Sequence, residues 1–113
     1  MTLDEYFSTG PARERPIFDA VMAALDDVGP MHVEPVSVGI FLKRAGSFAQ
    51  LRPMQQWVAL SLSLRRVVSH PTMTRRVQLW GGRHYHVFNL REPDDVDDDI
   101  RAWLVEAWLD APE

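Results

Sequence analysis

The chain contains no cysteine among its 113 residues. Disulfides, thiolate metal sites and cysteine nucleophiles are therefore excluded. No apolar run approaches the roughly 18 residues that a membrane-spanning helix needs. The opening MTLDEYFSTG lacks both the basic and the apolar region of a signal peptide, so a cytoplasmic protein without a membrane partner is expected. There is no excess of basic charge either. A formal net charge of −4 argues against attraction of nucleic acid or anionic lipid to the surface as a whole. Neither an H-E-x-x-H metal motif nor a G-x-S-x-G nucleophile elbow occurs. Internal repeats and low-complexity tracts are also missing.

What is present is an ordinary globular composition, 46% hydrophobic and 25% charged, on a length that suits one domain spanning residues 1–113. Such a length can build a core without staples. The charges separate along the chain. Acids gather near both ends and after Pro93, while Arg residues gather between Lys43 and Arg91.

The periodicity outlines the elements. Thr2 and Glu5 have capping-box spacing and open a short helical turn that Gly10-Pro11 ends. Pro16 suits the first turn of a helix whose apolar stripe is Ile17, Val21, Ala24, Leu25 and Val28, with Gly29 and Pro30 beyond its end. From Met31 the period becomes two. A short strand around Val33 is limited by Pro35, Val38 to Lys43 alternates, and a turn at Gly46 leads into a partner strand over 47–54. The clearest alternation is 57–64, with Val58, Leu60, Leu62 and Leu64 on one side and Trp57, Ala59, Ser61 and Ser63 on the other. Residues 65–77 read as a long Arg-rich connection with room for one helical turn. A strand interrupted by a turn or bulge at Gly81-Gly82 follows, over 78–90. Asp94 is placed to cap a last helix whose stripe is Val96, Ile100, Trp103, Leu104, Ala107 and Trp108.

These elements make an α+β domain. A mostly antiparallel sheet of four to five strands is expected, with an N-terminal and a C-terminal helix packed on one face and the other face open.

The order of elements resembles DUF5655, an uncharacterised bacterial domain family. The resemblance rests on Pro16-Ile-Phe-Asp-Ala, on Val38-Gly-Ile-Phe-Leu-Lys-Arg, and on His86-Val-Phe-Asn-Leu followed by Val96-Asp-Asp-Asp-Ile-Arg-Ala-Trp-Leu-Val-Glu-Ala-Trp. It covers nearly the whole chain. The chain is also broadly similar to the small α+β domains of the YdhG-like and MmcQ/YjbR-like type. The resemblance implies this fold and occurrence either alone or as an appendage. It implies no activity.

Four constellations are candidates for function. His84 and His86 lie two apart and share one face of a strand, as two metal ligands would. A zinc site needs three or four ligands, and parity sets this pair with Phe88 and Leu90, so a core histidine is the preferred reading of His86 and no metal is assigned. The open sheet face carries Trp57, Phe41 and Lys43 beside the Arg-rich connection, which suits a planar or anionic ligand. The acid run from Asp94 to Asp99 lacks the glycine of a calcium loop and reads as helix capping. Trp80-Gly81-Gly82-Arg83 is a weak anion nest.

The functional expectation is a non-catalytic ligand-binding or protein-interaction module that uses the open face, with Phe41, Lys43, Trp57, Arg83, His84 and His86 as ligand-binding residues and no cofactor. The expected partner is a small molecule or a protein, and a homodimer through the open face belongs to the same reading. A small His-dependent enzyme or metal-binding protein is the second reading. Contact of the central Arg-rich loop with nucleic acid is the third and least favoured.

Overall fold

A computed structural model describes residues 1–111. Two helices precede the sheet. The first, α1 (Leu3–Phe7), is closed by its capping box, since the Thr2 hydroxyl accepts from the Glu5 amide at 3.1 Å and the Glu5 carboxylate accepts from the Thr2 amide at 3.2 Å. The second, α2 (Glu14–Ala24), starts two residues before Pro16. The proline thus sits in the first turn, where its missing N–H leaves no bond unmade. Ile17 and Val21 form its buried row, which Leu25 continues just past its end.

The strands are β1 (His32–Val36), β2 (Gly39–Lys43), β3 (Ser47–Pro53), β4 (Val58–Leu64), β5 (Gln78–Trp80) and β6 (Arg83–Leu90). They form a single sheet in the order β1-β2-β3-β4-β6-β5, and every neighbouring pair is antiparallel. Among the described residues the sheet has six strands, not four to five. The additional strand arises at Gly81-Gly82, where φ values of +58° and +77° make a tight turn of the kind that joins hairpin strands. Gln78–Trp80 is therefore a strand in its own right. Pro35 is accommodated on β1 because that strand is an edge, where a missing donor costs no ladder bond.

The register separates the two faces. Ile40 faces Leu51, Leu51 faces Leu60, and Leu60 faces Phe88. This row lies in one buried cluster with Ile17 and Val21 of α2 and with Ile100, Leu104 and Trp108 of the last helix, α3 (Asp98–Leu109). On the opposite face a second row crosses the sheet: Glu34, Phe41, Gln50, Ser61 and Val87 are successive partners. It has the polar and aromatic character of an uncovered face.

Two contacts lock α3 to the turn after α2. The Trp108 indole N–H donates to the Pro30 carbonyl at 3.1 Å. Its ring lies so close to Gly29 that a Cβ there would meet it at 2.6 Å. Asp97, not Asp94, caps α3 by accepting from the Ile100 amide at 3.0 Å. Asp94 and Asp95 belong to a short 3-10 turn, Pro93–Asp95, in which Asp95 accepts from the amides of Arg91 and Glu92.

The connection 65–77 contains no helix, only a single turn at Pro71-Thr72 that the Met73 amide closes by donating to the His70 carbonyl at 3.0 Å. It carries the chain from β4 past β6 to β5, since β6 lies between those two strands. Its inner part is bonded to the core: the Val68 amide donates to His86 Nε2 at 3.0 Å. Its outer part is bonded to the free edge of β6 beyond the reach of β5, where the Asn89 amide donates to the Thr72 carbonyl at 3.0 Å.

Candidate functional site

The six residues singled out from the sequence fall into three places. Phe41 and Lys43 lie at the β1 side of the open face, in a shallow cleft shared with Glu34 and Val36. Lys43 forms an ion pair with Glu34, and this hydrogen bond holds the Glu34 carboxyl below its usual range. The Lys43 ammonium also stands 5.7 Å from the Phe41 ring centroid. Its charge is thus already answered within the protein.

Trp57 lies at the far end. One step beyond the Val58–Leu90 pair, the register sets it opposite Arg91, and the Arg91 guanidinium stands 5.5 Å from the Trp57 ring centroid. The row next to it is Arg52, Ala59 and Asn89. Because residues two apart on a strand share a face, Trp57, Arg91, Asn89 and Arg52 share the open one. Asn89 and Arg91 also line a cleft of about 260 Å³ with Pro71, Thr72, Thr74 and Asp95. Among the described residues, no carboxylate pairs with Arg52, Arg75, Arg76 or Arg91.

Arg83, His84 and His86 are placed elsewhere. His86 is 0% exposed. Its Nε2 accepts the Val68 N–H, so its proton is on Nδ1, which donates to the His84 carbonyl at 3.1 Å. Both ring nitrogens are engaged, which leaves none for a metal. Burial pushes its pKa down, against the opposing pull of its hydrogen bonds. Arg83 donates to the Asp110 carbonyl at the end of α3, while one of its terminal nitrogens is buried with no hydrogen-bond partner among the described residues. Among the described residues, no group of three or more His, Asp or Glu is placed to hold a metal ion. Among those residues, too, no helix is long and apolar enough to cross a membrane.

Two groupings were not legible in the sequence. Glu14, 3% exposed, accepts a hydrogen bond from the Tyr6 hydroxyl. Burial raises its pKa and outweighs that bond, which acts to lower it. The second grouping is centred on His70. Its Nε2 lies 2.7 Å from Asp97 Oδ2, and its Nδ1 lies 2.8 Å from Thr72 Oγ1. The ring packs edge-on against Phe88 and Trp103, at 5.9 Å from each. Asp97 is 27 residues from His70. The only advance signal was a histidine inside an otherwise irregular, Arg-rich connection.

A family model described as Domain of unknown function (DUF5655) matches residues 3–111. No curated protein and no solved structure matches the chain significantly.

Proposed function

The chain belongs to the DUF5655 family, and because that membership brings no activity with it, we propose from the geometry that the domain is a ligand-binding module whose open sheet face takes a small planar anion. The observation that carries this reading is the Arg91 guanidinium over the Trp57 ring, free of any carboxylate partner among the described residues and bordering a cleft. A flat ring can stack on the indole while its acid group meets the guanidinium, a geometry to which arginine's planar fork is suited. Arg52 adds charge and Asn89 adds hydrogen-bonding capacity. Phe41 and Lys43 form a secondary contact region, weakened for anions by Glu34. The buried His86 and the helix-bound Arg83 serve this reading only as scaffold. The broader likeness to YdhG-like and MmcQ/YjbR-like domains contributes no residue role.

The test is a titration followed by amide chemical shifts, with 4-hydroxybenzoate and, separately, AMP. The two arms distinguish a free aromatic acid from a nucleotide. Shifts are expected to centre on Arg52, Trp57, Asn89 and Arg91, and Arg91→Gln is expected to weaken binding about tenfold, as loss of a hydrogen bond to a charged group would. Equal binding by Arg91→Gln, or no shifts with either ligand, overturns the reading. So does sedimentation showing a homodimer that covers Trp57.

A further inference from the structure

We propose that Thr72 is a nucleophile, activated by His70 and positioned through Asp97, and that the cleft it lines hydrolyses small carboxylic esters bearing a second, anionic group. The anionic part of that substrate class rests on the binding reading above; the nucleophile does not.

The direction of each hydrogen bond follows from the geometry. The Thr72 backbone N–H donates to His70 Nδ1 at 3.2 Å. That nitrogen is therefore unprotonated in the neutral ring, and the ring proton is on Nε2, facing Asp97 Oδ2 at 2.7 Å. With Nδ1 an acceptor, the Thr72 hydroxyl at 2.8 Å points its proton at it. The sequence of bonds is carboxylate, imidazole, hydroxyl, the order by which an alcohol is made nucleophilic. Every member is held. The His70 side chain is 7% exposed and wedged between Phe88 and Trp103. The other oxygen of Asp97 is fixed by the Ile100 amide. Burial acts to raise the Asp97 pKa, but its hydrogen bonds from Ile100 and His70 together hold it below the usual value.

Anchoring the connection does not require this hydroxyl. The backbone amide of Thr72 already satisfies Nδ1, and the imidazole–carboxylate bond does not involve Oγ1. The hydroxyl is a donor that this anchoring leaves over, on a residue that lines the cleft with Arg91 and Asn89.

In the proposed reaction Thr72 Oγ1 attacks the ester carbonyl carbon and its proton passes to His70 Nδ1. The bond from the carbonyl carbon to the leaving oxygen breaks, and Nδ1–H protonates that oxygen. A water molecule then attacks the acyl-threonine and gives one proton to Nδ1. The acid departs, and that proton returns to Thr72 Oγ1. Asp97 stays ionised throughout and acts as a positioning residue.

The experiment compares hydrolysis of 4-acetoxybenzoate and of neutral phenyl acetate, with acid-quenched peptide mass analysis. The wild-type protein is expected to cleave both faster than buffer and to carry an acetyl group on the peptide containing Thr72. Thr72→Val keeps the backbone bond to His70 and should lower kcat/KM about a hundredfold. Thr72→Ser restores a hydroxyl and should restore turnover. Wild-type rates equal to buffer, or Thr72→Val equal to wild type, overturn the proposal. Arg91→Gln separates the two readings. If it removes the preference for 4-acetoxybenzoate while phenyl acetate is still cleaved, both stand; if wild type shows no preference, the anion reading fails and the nucleophile remains.

Discussion

Two buried titratable side chains give this protein opposing responses to pH. His86 is neutral in the fold because burial pushes its pKa below 6.5. The unfolded chain binds its proton more readily, so this contribution to stability is present above about pH 6.5 and is lost as pH falls toward the depressed value. Glu14 has the reverse sign. Burial raises its carboxyl above 4.5, so the stability it contributes is present below that pH and is lost as pH rises through the raised value. Glu14→Gln removes the second response alone and leaves Tyr6 a partner. In urea denaturation at pH 5 and pH 8, the Gln variant should gain stability relative to wild type at the higher pH. A relative loss there would show that Glu14 is held by an interaction favouring its charge.

At the scale of the element, α3 is where capping, packing and candidate chemistry meet. Asp97 begins the helix and orients His70 with its second oxygen. At the other end Arg44 lies 4.1 Å from the Trp108 ring centroid and donates to the Trp108 carbonyl, and Arg83 donates to the Asp110 carbonyl. Cations at this end complement the helix dipole. The seam between α3 and the turn after α2 depends on a bare backbone at Gly29, against the Trp108 ring. Gly29→Ala should therefore cost about 1–3 kcal/mol, the usual penalty for overpacking, read as a lower denaturation midpoint at unchanged slope. No loss would mean that the indole can swing aside.

Most of these elements could be read from the residues. The row Ile17, Val21, Leu25 and the alternation from Val58 to Leu64 are signals carried within single segments. Parity also set His86 with Phe88 on the covered face. The site was less legible because its members come from separate segments. Trp57 meets Arg91 only once β4 pairs with β6, and His70 meets Asp97 only once the connection crosses that pair. No local spacing encodes such meetings.

For the molecule as a whole, the insertion of β6 between β4 and β5 divides the sheet into two parts. One is a meander, β1 to β4, built from short connections. The other is the β5–β6 hairpin, joined to it by 65–77 and presenting Leu79 and Trp80, 67% and 76% exposed, near a free edge. A sheet assembled this way has an order of events in time. The hairpin closes over two glycines and is local, whereas setting Val58 opposite Leu90 requires closing a long loop, the slower kind of step. Docking of a preformed hairpin against β4 should then be the rate-limiting event, with the turn already formed in the nucleus. Replacing Gly81 and Gly82 together by Ala strains two positive-φ positions without removing a tertiary contact. In stopped-flow refolding the double variant should fold more slowly and unfold at nearly the wild-type rate; the opposite partition would place the hairpin after the barrier. The same crossing that joins His70 to Asp97 should make the candidate catalytic group one of the last features to form, so the protein should acquire any hydrolytic capacity only when folding is complete.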